Sequence, residues 1–327
     1  MINRCKRLCI SLGPLPFPKL CIEQGHVILV GPTGSGKTNT AKVIIEELER
    51  HGVPALILDY HGEYDEFAKV VPGEDLSFNM LATQEIEFIV DILSSVFQIS
   101  EPQWYILLKA LKKGKPPYRL ADVISLLEEE PTRDWREYEI KSAILRRLTI
   151  LNEGVLGRTL NGDKPPDTIF KKTVAVDMST LPVRYRGLLS LIILKHLYDY
   201  AVARSKVNTI VHATVIEEAW NILAYRAKWE TPSIGERLFL ELRKYGELII
   251  AVSQRLDDLS ERAVHNARYI FLTNVLQTDL QKLGLQAYTV RLAETMKLKR
   301  GFVLGIIENH KIRRIRVRRA RRISTGR

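Results

Sequence analysis

Hydrophobic and polar positions along the chain follow two different periods, and each period predicts one kind of secondary structure. Continuous apolar runs predict buried strands at residues 27–30, 53–59, 173–177, 209–216, 248–253 and 269–272. Apolar positions spaced three and four residues apart predict helices at about 37–51, 184–204 and 234–245. Strands that alternate with helices in this way are typical of an α/β fold with a mainly parallel sheet and helices on both faces.

The pattern changes between residues 80 and 158, where helical periodicity replaces the alternation of strand and helix. It predicts four consecutive helices at residues 86–96, 103–111, 120–129 and 135–151. Breaks at Pro116, Pro117 and Pro131 separate these helices, because proline cannot continue a helix. We therefore expect an all-helical subdomain, residues 80–158, inserted into the α/β core.

The C-terminal end predicts a β-hairpin, with arms at 301–307 and 311–319 and a turn at Glu308-Asn-His310. In the second arm, apolar Ile315 and Val317 alternate with arginines. Since a strand has a side-chain period of two, the alternation predicts three arginines on one face, namely Arg314, Arg316 and Arg318.

The composition, with 46% hydrophobic and 27% charged residues among 327, is that of a soluble globular protein. No apolar run approaches the roughly 20 residues of a membrane span, so we expect no such span and a cytoplasmic location. Cys5, Cys9 and Cys21 fit no common zinc spacing. We expect free thiols, with a local disulfide or a metal clip as the alternatives.

The net charge of +11 is concentrated at one end of the chain. Residues 310–327 carry nine lysines and arginines and no acid, which leaves +2 for the other residues. A basic tail of this kind is typical of contact with nucleic-acid phosphates. The alternative is a disordered end that only adds solubility.

A phosphate-binding loop follows the strand at 27–30. The segment Gly31-Pro-Thr-Gly-Ser-Gly-Lys-Thr38 matches the pattern Gly-x-x-x-x-Gly-Lys-Ser/Thr without a mismatch, between a predicted strand and a predicted helix. Backbone N–H groups of such a loop bind polyphosphate, the lysine reaches the β- and γ-phosphates, and the threonine hydroxyl binds Mg²⁺. We predict that ATP and Mg²⁺ bind here, through Gly31, Pro32, Thr33, Gly34, Ser35, Gly36, Lys37, Thr38 and Asn39.

Two adjacent carboxylates, Glu217 and Glu218, stand at the end of the strand predicted at 209–216. Hydrolysis requires a carboxylate in the Mg²⁺ shell and a second group that orients water. We assign Glu217 to Mg²⁺ and Glu218 to the attacking water, because neighbouring side chains on a strand point to opposite faces. The alternative is a pair of solvated acids that begin a helix.

Polar residues also follow two other predicted strands. Gln254 follows the strand at 248–253, where its amide can contact the γ-phosphate or the attacking water; a surface loop is the alternative. Asp59 and Glu63 follow the strand at 53–59, at the edge where parallel sheets bind ligands. We assign Asp59 to the nucleotide site, and a simple Asx turn is the alternative.

Arg243 lies near the end of the helix predicted at 234–245, before Gly246. A cation at a helix C-terminus interacts favourably with the helix dipole, which is the simpler explanation. The functional explanation is an arginine finger that reaches the γ-phosphate of a neighbouring subunit.

Together these motifs resemble those of the HerA–FtsK superfamily of P-loop motor ATPases, and within it the HerA-like and type IV secretion (conjugation) branch. The resemblance covers about residues 20–318. It rests on the phosphate loop, the helical insert, Asp59-Tyr-His-Gly-Glu-Tyr64, Val215-Ile-Glu-Glu-Ala-Trp220, Leu242-Arg-Lys-Tyr-Gly246 and Ser253-Gln-Arg255.

The resemblance implies a RecA-like P-loop core and a hexameric ring that uses ATP to move double-stranded DNA. It places Lys37, Thr38, Asp59, Glu217, Glu218 and Gln254 in the site of one subunit and Arg243 in that of its neighbour. HerA proteins carry a barrel domain before the phosphate loop, where their nuclease partner docks. Only 25 residues precede His26 here, so that partner is not expected. HerA proteins usually have histidine at the position of Trp220. In this respect the segment Glu218-Ala-Trp220 resembles the conjugation-type ATPases more closely.

The expected organisation is a short leader at 1–25, a RecA-like ATPase core at 26–309 that contains the helical subdomain, and a basic strand and tail at 310–327. The first functional hypothesis is an ATP-driven translocase of double-stranded DNA. Two alternatives stay open: a conjugation, secretion or packaging motor that acts on protein or nucleoprotein, and a nucleotide-dependent switch with little turnover.

Overall fold

The computed structural model describes residues 7–13, 20–83, 85–113, 119–227, 229–274, 276–283, 285, 301–307 and 311–321. Two compact units make up the chain. The first contains Met1–Lys69, Ile169–Ala175 and Ala201–Arg327, and the second contains Val70–Thr168 and Val176–Tyr200.

A nine-stranded sheet forms the centre of the fold. Its strands are β3 (His26–Val30), β4 (Ala55–Asp59), β5 (Ala68–Val70), β6 (Val174–Asp177), β7 (His212–Ile216), β8 (Glu247–Ser253), β9 (Ala267–Leu272), β10 (Phe302–Ile307) and β11 (Lys311–Arg316). Their order across the sheet is β11-β10-β9-β3-β8-β7-β4-β6-β5. Strands β3, β4, β7 and β8 are buried along their whole length, which explains why they read as continuous apolar runs.

The strand pairings confirm the predicted α/β class with a mainly parallel sheet. Strand β3 pairs in parallel with both β8 and β9, and β7 pairs in parallel with β8 and β4. Strand β10 pairs antiparallel with both β9 and β11, so both arms of the predicted hairpin are present. The predicted turn at 308–310 lies outside the described residues.

One detail of the hairpin prediction is wrong. Strand β11 ends at Arg316, so Arg318 lies beyond the strand, where its guanidinium pairs with Glu46 and Glu47. Alternation did place Ile315 and Val317 against the core. The sequence pattern could not show that the strand ends at Arg316. The carboxylates that pair with Arg318 are more than 270 residues away along the chain.

Helices of the first unit pack around this sheet. Helix α1 (Lys37–Arg50) buries an apolar face that includes Ala41, Ile44 and Leu48 in the same core cluster as the strand residues Leu29 and Ile57. Three further helices follow later in the chain, α8 (Ile234–Leu242), α9 (Glu261–Asn266) and α10 (Gln277–Lys282). Helix α8 begins at a capping box, in which Ser233 accepts the Glu236 N–H and Glu236 accepts the Ser233 N–H.

The N-terminal segment also contributes to the core of the first unit. Strands β1 (Arg7–Ile10) and β2 (Leu20–Glu23) pair antiparallel, and Ile10, Leu12 and Ile22 are buried. The pairing sets Cys9 directly opposite Cys21, and the two form a disulfide. The expectation of free thiols is therefore wrong for this pair, because strands of only four residues gave no periodic signal that would bring the cysteines together. Cys5 lies outside the described residues.

We expect the double substitution Cys9→Ser, Cys21→Ser to lower the free energy of unfolding of the oxidised protein by about 2–3 kcal/mol. The disulfide closes a loop of 12 residues, which removes chain entropy from the unfolded state. Chemical denaturation with and without reductant measures the difference. The wild type and the variant should become equally stable in reductant; a gap that persists there would mean that packing, and not the crosslink, carries the effect.

The second unit is mainly helical. Helices α2 (Ile86–Phe97), α3 (Glu101–Lys113), α4 (Leu120–Glu129), α5 (Trp135–Asn152) and α6 (Gly154–Leu160) follow one another, and most of α7 (Val183–Ala203) belongs to the same unit. The four predicted helices are present, whereas α6 was not predicted. That residues 80–158 form a separate inserted subdomain stays a prediction. Among the described residues, no helix has the length and apolarity of a membrane-spanning segment.

Candidate functional site

Four neighbouring strands end at the same edge of the sheet and bring the predicted site residues together. The strands lie in the order β3-β8-β7-β4 and are parallel. The phosphate loop follows β3, Gln254 follows β8, Glu217 and Glu218 follow β7, and β4 ends at Asp59. Since the carboxyl ends of parallel strands share one edge, residues that are far apart in sequence line one site.

The backbone of the phosphate loop has the conformation that its glycines permit. Gly36 has φ 102° and caps α1, and its carbonyl accepts the Thr40 N–H at 3.0 Å. Gly31 passes so close to Thr273 that a Cβ atom would lie 1.8 Å from the hydroxyl oxygen. Glycine is needed at Gly31 for close approach and at Gly36 for the left-handed turn into the helix.

Side chains of the loop fold back on its own backbone. The Lys37 ammonium donates to the Pro32 carbonyl at 3.1 Å, and the Ser35 hydroxyl donates to the same carbonyl at 2.6 Å. Pro32, Thr33 and Gly34 are exposed at the tip of the loop. Burial lowers the pKa of Lys37, while the nearby charges of Glu217, Glu218 and Glu63 act to raise it. Lys37 therefore lies within the electrostatic reach of all three carboxylates.

Thr38 and Glu217 have the surroundings that an Mg²⁺ site requires. The Thr38 hydroxyl donates its proton to Glu63 Oε2 at 2.8 Å, which leaves its lone pairs available to a cation. The Tyr64 hydroxyl donates to Glu217 Oε1 and fixes the orientation of that carboxylate. Protein sites usually bind Mg²⁺ through one or two side-chain oxygens together with substrate phosphates, so this small donor set fits a nucleotide-bound Mg²⁺.

The charge balance around Glu217 also fits a cation. Burial, the largest cause, and the carboxylates of Glu63, Asp59 and Glu218 together raise the pKa of Glu217 to about 7, although the Tyr64 hydrogen bond acts to lower it. A buried carboxylate among other acids lacks compensating charge. A divalent cation beside Glu217 would supply that charge.

Glu218 is held by three side chains from different segments. Its carboxylate accepts hydrogen bonds from Gln254 Nε2 at 3.1 Å and from Trp220 Nε1 at 2.7 Å, and it lies 3.4 Å from His61 Nε2. Burial raises the pKa of Glu218, but these three contacts outweigh it and hold the pKa below its usual value. Its backbone has φ 45°, a left-handed conformation that costs a non-glycine residue about 1–2 kcal/mol. The pKa values of the two adjacent glutamates are thus shifted in opposite directions, a pattern typical of distinct chemical roles.

Asp59 stabilises a turn. Its Oδ1 accepts the N–H groups of His61, Gly62 and Glu63, and its Oδ2 accepts the N–H of Tyr64. The carboxylate is buried and occupied by these four bonds, as the Asx-turn alternative requires. Asp59 therefore positions the residues that contact the site, and direct nucleotide binding by Asp59 stays a prediction.

Asn39 also uses its side chain within the protein. Its amide donates to the Arg318 carbonyl at 2.8 Å and accepts the Ala320 N–H at 2.9 Å. Its backbone N–H remains at the first turn of α1, where phosphate-binding loops use it.

Arg243 is not brought to the phosphate loop of its own subunit. It lies in the 3₁₀ turn Arg243–Tyr245, before β8, whereas Gln254 follows β8. The seven residues of that strand separate the two positions by about 20 Å. The Arg243 side chain is exposed in a cavity of about 620 Å³ that Lys206, Lys244 and Arg268 also line. A role in hydrolysis therefore needs a second subunit.

Further residues contact the predicted site residues although the sequence gave them no role. Among them are His61, Tyr64, Trp220 and Thr273. The first three lie inside sequence motifs that carried the family resemblance. A motif, however, does not show which side chain in the fold each of its residues contacts. Thr273 follows β9, the other neighbour of β3, and its hydroxyl lies 2.6 Å from the Ser35 hydroxyl. Its position directly after the strand predicted at 269–272 is the signal in the sequence that could have identified Thr273.

Comparison with known proteins identifies related sequences. Residues 21–289 match the family model described as the central domain of helicase HerA. A DNA double-strand break repair helicase HerA from Sulfolobus acidocaldarius is 25% identical over an aligned length of 293 residues, and the match covers 80% of this chain. The chain spans 57% of the length of that relative.

Solved structures share the fold at low sequence identity. VirB4 of Thermoanaerobacter pseudethanolicus superposes with a TM-score of 0.69 at 14% identity, over 97% of this chain and 96% of that one. The bacterial conjugative coupling protein TrwB, in a form termed TrwBΔN70, superposes with a TM-score of 0.63 at 11% identity, over 98% of this chain and 91% of that one. The predicted RecA-like fold is thereby confirmed.

Proposed function

The chain belongs to the family of the HerA central domain, and on that premise we propose that it is an ATP-hydrolysing motor that moves double-stranded DNA. The observation that carries the proposal is the position of Glu218. Its carboxylate is held by Gln254, Trp220 and His61. It lies at the edge of the sheet where the phosphate loop connects β3 to α1. A site built only to bind nucleotide would have no need of a strained, ionised glutamate there.

The residues divide the work of hydrolysis among them. Backbone N–H groups of residues 31–38 bind the phosphates, and Lys37 balances charge on the β- and γ-phosphates. Thr38 and Glu217 would hold Mg²⁺, and the ion would supply positive charge against the phosphate oxygens. Glu218 accepts a hydrogen bond from the attacking water and takes its proton as the water oxygen bonds to the γ-phosphorus. The bond between the γ-phosphorus and the bridging oxygen breaks, which releases ADP and inorganic phosphate.

Three features support DNA as the substrate. The related Sulfolobus protein is described as a DNA repair helicase, the matched family model is that of a helicase domain, and the last residues of the chain are strongly basic. Arg313 is exposed and available to phosphates, whereas Arg318 is engaged in ion pairs. We propose a homo-hexameric ring in the cytoplasm, because a motor that encircles duplex DNA needs a closed arrangement of identical subunits.

ATP hydrolysis measured with and without linear duplex DNA tests the proposal. We expect duplex DNA to stimulate turnover, because translocation couples each cycle to movement along the polymer. Lys37→Ala serves as the inactive control, since any turnover left in that variant belongs to a contaminating ATPase. Imaging the same sample for a six-fold ring tests the assembly.

Each alternative has its own outcome in this experiment. A motor that drives protein would hydrolyse ATP at a rate that duplex DNA does not change. A switch would bind ATP with almost no turnover under either condition. Either result would overturn the DNA-translocase proposal.

A further inference from the structure

The last described segment of the chain is attached to the helix that follows the phosphate loop. We call residues 317–321 the strap. The Asn39 side chain bridges its backbone, since it donates to the Arg318 carbonyl and accepts the Ala320 N–H. Asn39 follows Thr38 directly, so the strap is joined to the first turn of α1, next to the bound phosphates.

An ion-pair cluster fixes the strap about two turns further along the same helix. The Arg318 guanidinium pairs with Glu46 and with Glu47, the latter at 2.9 Å, and the Arg321 N–H donates to Glu46 at 2.5 Å. The side chains of Arg318, Glu46 and Glu47 are exposed by only 16%, 6% and 5%. Because these charges are largely removed from water, losing one partner leaves the others poorly compensated. Arg318 is therefore committed to the protein and is not free for DNA.

The N-terminal hairpin supports the same cluster. The Leu12 carbonyl accepts the Arg318 N–H at 2.6 Å, and the Ser11 N–H donates to Glu47 at 3.3 Å. Val317 is buried in the core and its N–H donates to the Gly301 carbonyl at 2.8 Å. These contacts hold the backbone of the strap in place, and the Arg319 carbonyl also accepts a hydrogen bond from the Arg318 guanidinium at 3.2 Å, whereas the Arg319 side chain is exposed.

A cavity of about 1050 Å³ lies between the phosphate loop and the strap. One wall is formed by the loop and the first turn of α1, including Gly36, Thr38 and Asn39; the facing wall includes Phe302, Arg316 and residues 317–320. A cavity of this size accommodates a nucleotide-sized ligand. Phosphates bound at the loop would occupy one end of it, so the ribose and the base would lie at the other end, beside the strap.

We propose that the strap and Phe302 form the binding site for the nucleoside part of the ATP, with Arg319 in contact with the base or ribose and with Arg318 and Asn39 as positioning residues. A planar guanidinium can stack on a base and donate to ribose hydroxyls. This inference rests on the proposed nucleotide site. It assigns the beginning of the basic tail to nucleotide recognition, where the charge pattern alone had indicated DNA.

Two probes in the full-length protein separate the parts of the site: a non-hydrolysable ATP analogue, and inorganic tripolyphosphate, which lacks the nucleoside. We expect Arg318→Ala and Arg319→Ala each to weaken binding of the ATP analogue by about 10-fold and to leave the affinity for tripolyphosphate unchanged. Titration calorimetry with Mg²⁺ present measures both dissociation constants. Arg133→Ala, which removes an arginine that is 87% exposed, is the matched control and should change neither.

The outcomes separate this inference from the proposed function. If a strap variant weakens both probes equally, the strap serves stability alone and the inference is wrong. It is also wrong if neither strap variant changes either affinity. Arg319→Ala keeps the test decisive should Arg318→Ala unfold, because the exposed Arg319 side chain has no part in the ion-pair cluster. Failure of the wild type to bind either probe would instead overturn the nucleotide site itself.

Discussion

Glu218→Gln is expected to lower kcat for ATP hydrolysis by about 10²–10⁴-fold while ATP still binds with near wild-type affinity. The glutamine keeps the size of the side chain, and its amide oxygen can still accept the hydrogen bond of either Gln254 or Trp220, which donate to different oxygens of the glutamate. It cannot take a proton from water. Single-turnover hydrolysis and equilibrium binding, measured on the same preparation, check the two parts of the expectation.

Glu139→Gln is the matched control. Glu139 is exposed on α5, so this substitution makes the same change of charge away from the site. Wild-type turnover in Glu218→Gln would remove Glu218 from the chemistry. A loss of binding equal to the loss of turnover would place its effect in the ground state, as expected of a residue that only shapes the pocket. Thermal unfolding of the variant shows whether the backbone strain at residue 218 is still accommodated.

The part of the fold that sequence patterns predicted well is the part where local and global preferences agree. Helix α1 and strands β3, β7 and β8 have strong periodic or continuous apolar signals, and their predicted bounds differ from the observed ones by a few residues. The phosphate loop was recognisable for a similar reason, since one short segment contains its whole geometry. Because the sheet was predicted to be mainly parallel, residues that directly follow its strands, such as Glu217, Glu218 and Gln254, were expected at one edge.

Contacts between distant segments were beyond the reach of the sequence. The Tyr64 hydroxyl reaches Glu217 across 153 residues, and Arg318 reaches Glu46 across 272. A single sequence contains the partners of such contacts but not the pairing. The charge count therefore assigned Arg318 to the basic strand and tail, although its guanidinium pairs with Glu46 and Glu47 of α1. The left-handed backbone of Glu218 is also invisible in a sequence, because tertiary contacts impose it against the local preference.

Arg243→Ala is expected to reduce ATP turnover by about 10³-fold or more if its guanidinium completes the site of a neighbouring subunit. The residue lies at the amino end of β8, whereas Gln254 and the phosphate loop lie at the opposite edge of the sheet. In a head-to-tail ring, that edge of one subunit faces the nucleotide edge of the next. ATP binding to the separate subunits should not change. Arg136→Ala, at an exposed position of α5, is the charge-matched control.

Mixing two inactive variants distinguishes action in trans from a loss of structure. Lys37→Ala subunits have a defective phosphate loop but an intact Arg243, and Arg243→Ala subunits have the reverse. In randomly mixed rings with equal amounts of each, about a quarter of the sites would combine an intact loop with an intact neighbouring arginine. The mixture should therefore regain turnover that neither variant has alone. A mixture as inactive as its parts would mean that Arg243 acts on its own subunit or only supports the fold, and retained activity in Arg243→Ala alone would exclude the arginine finger.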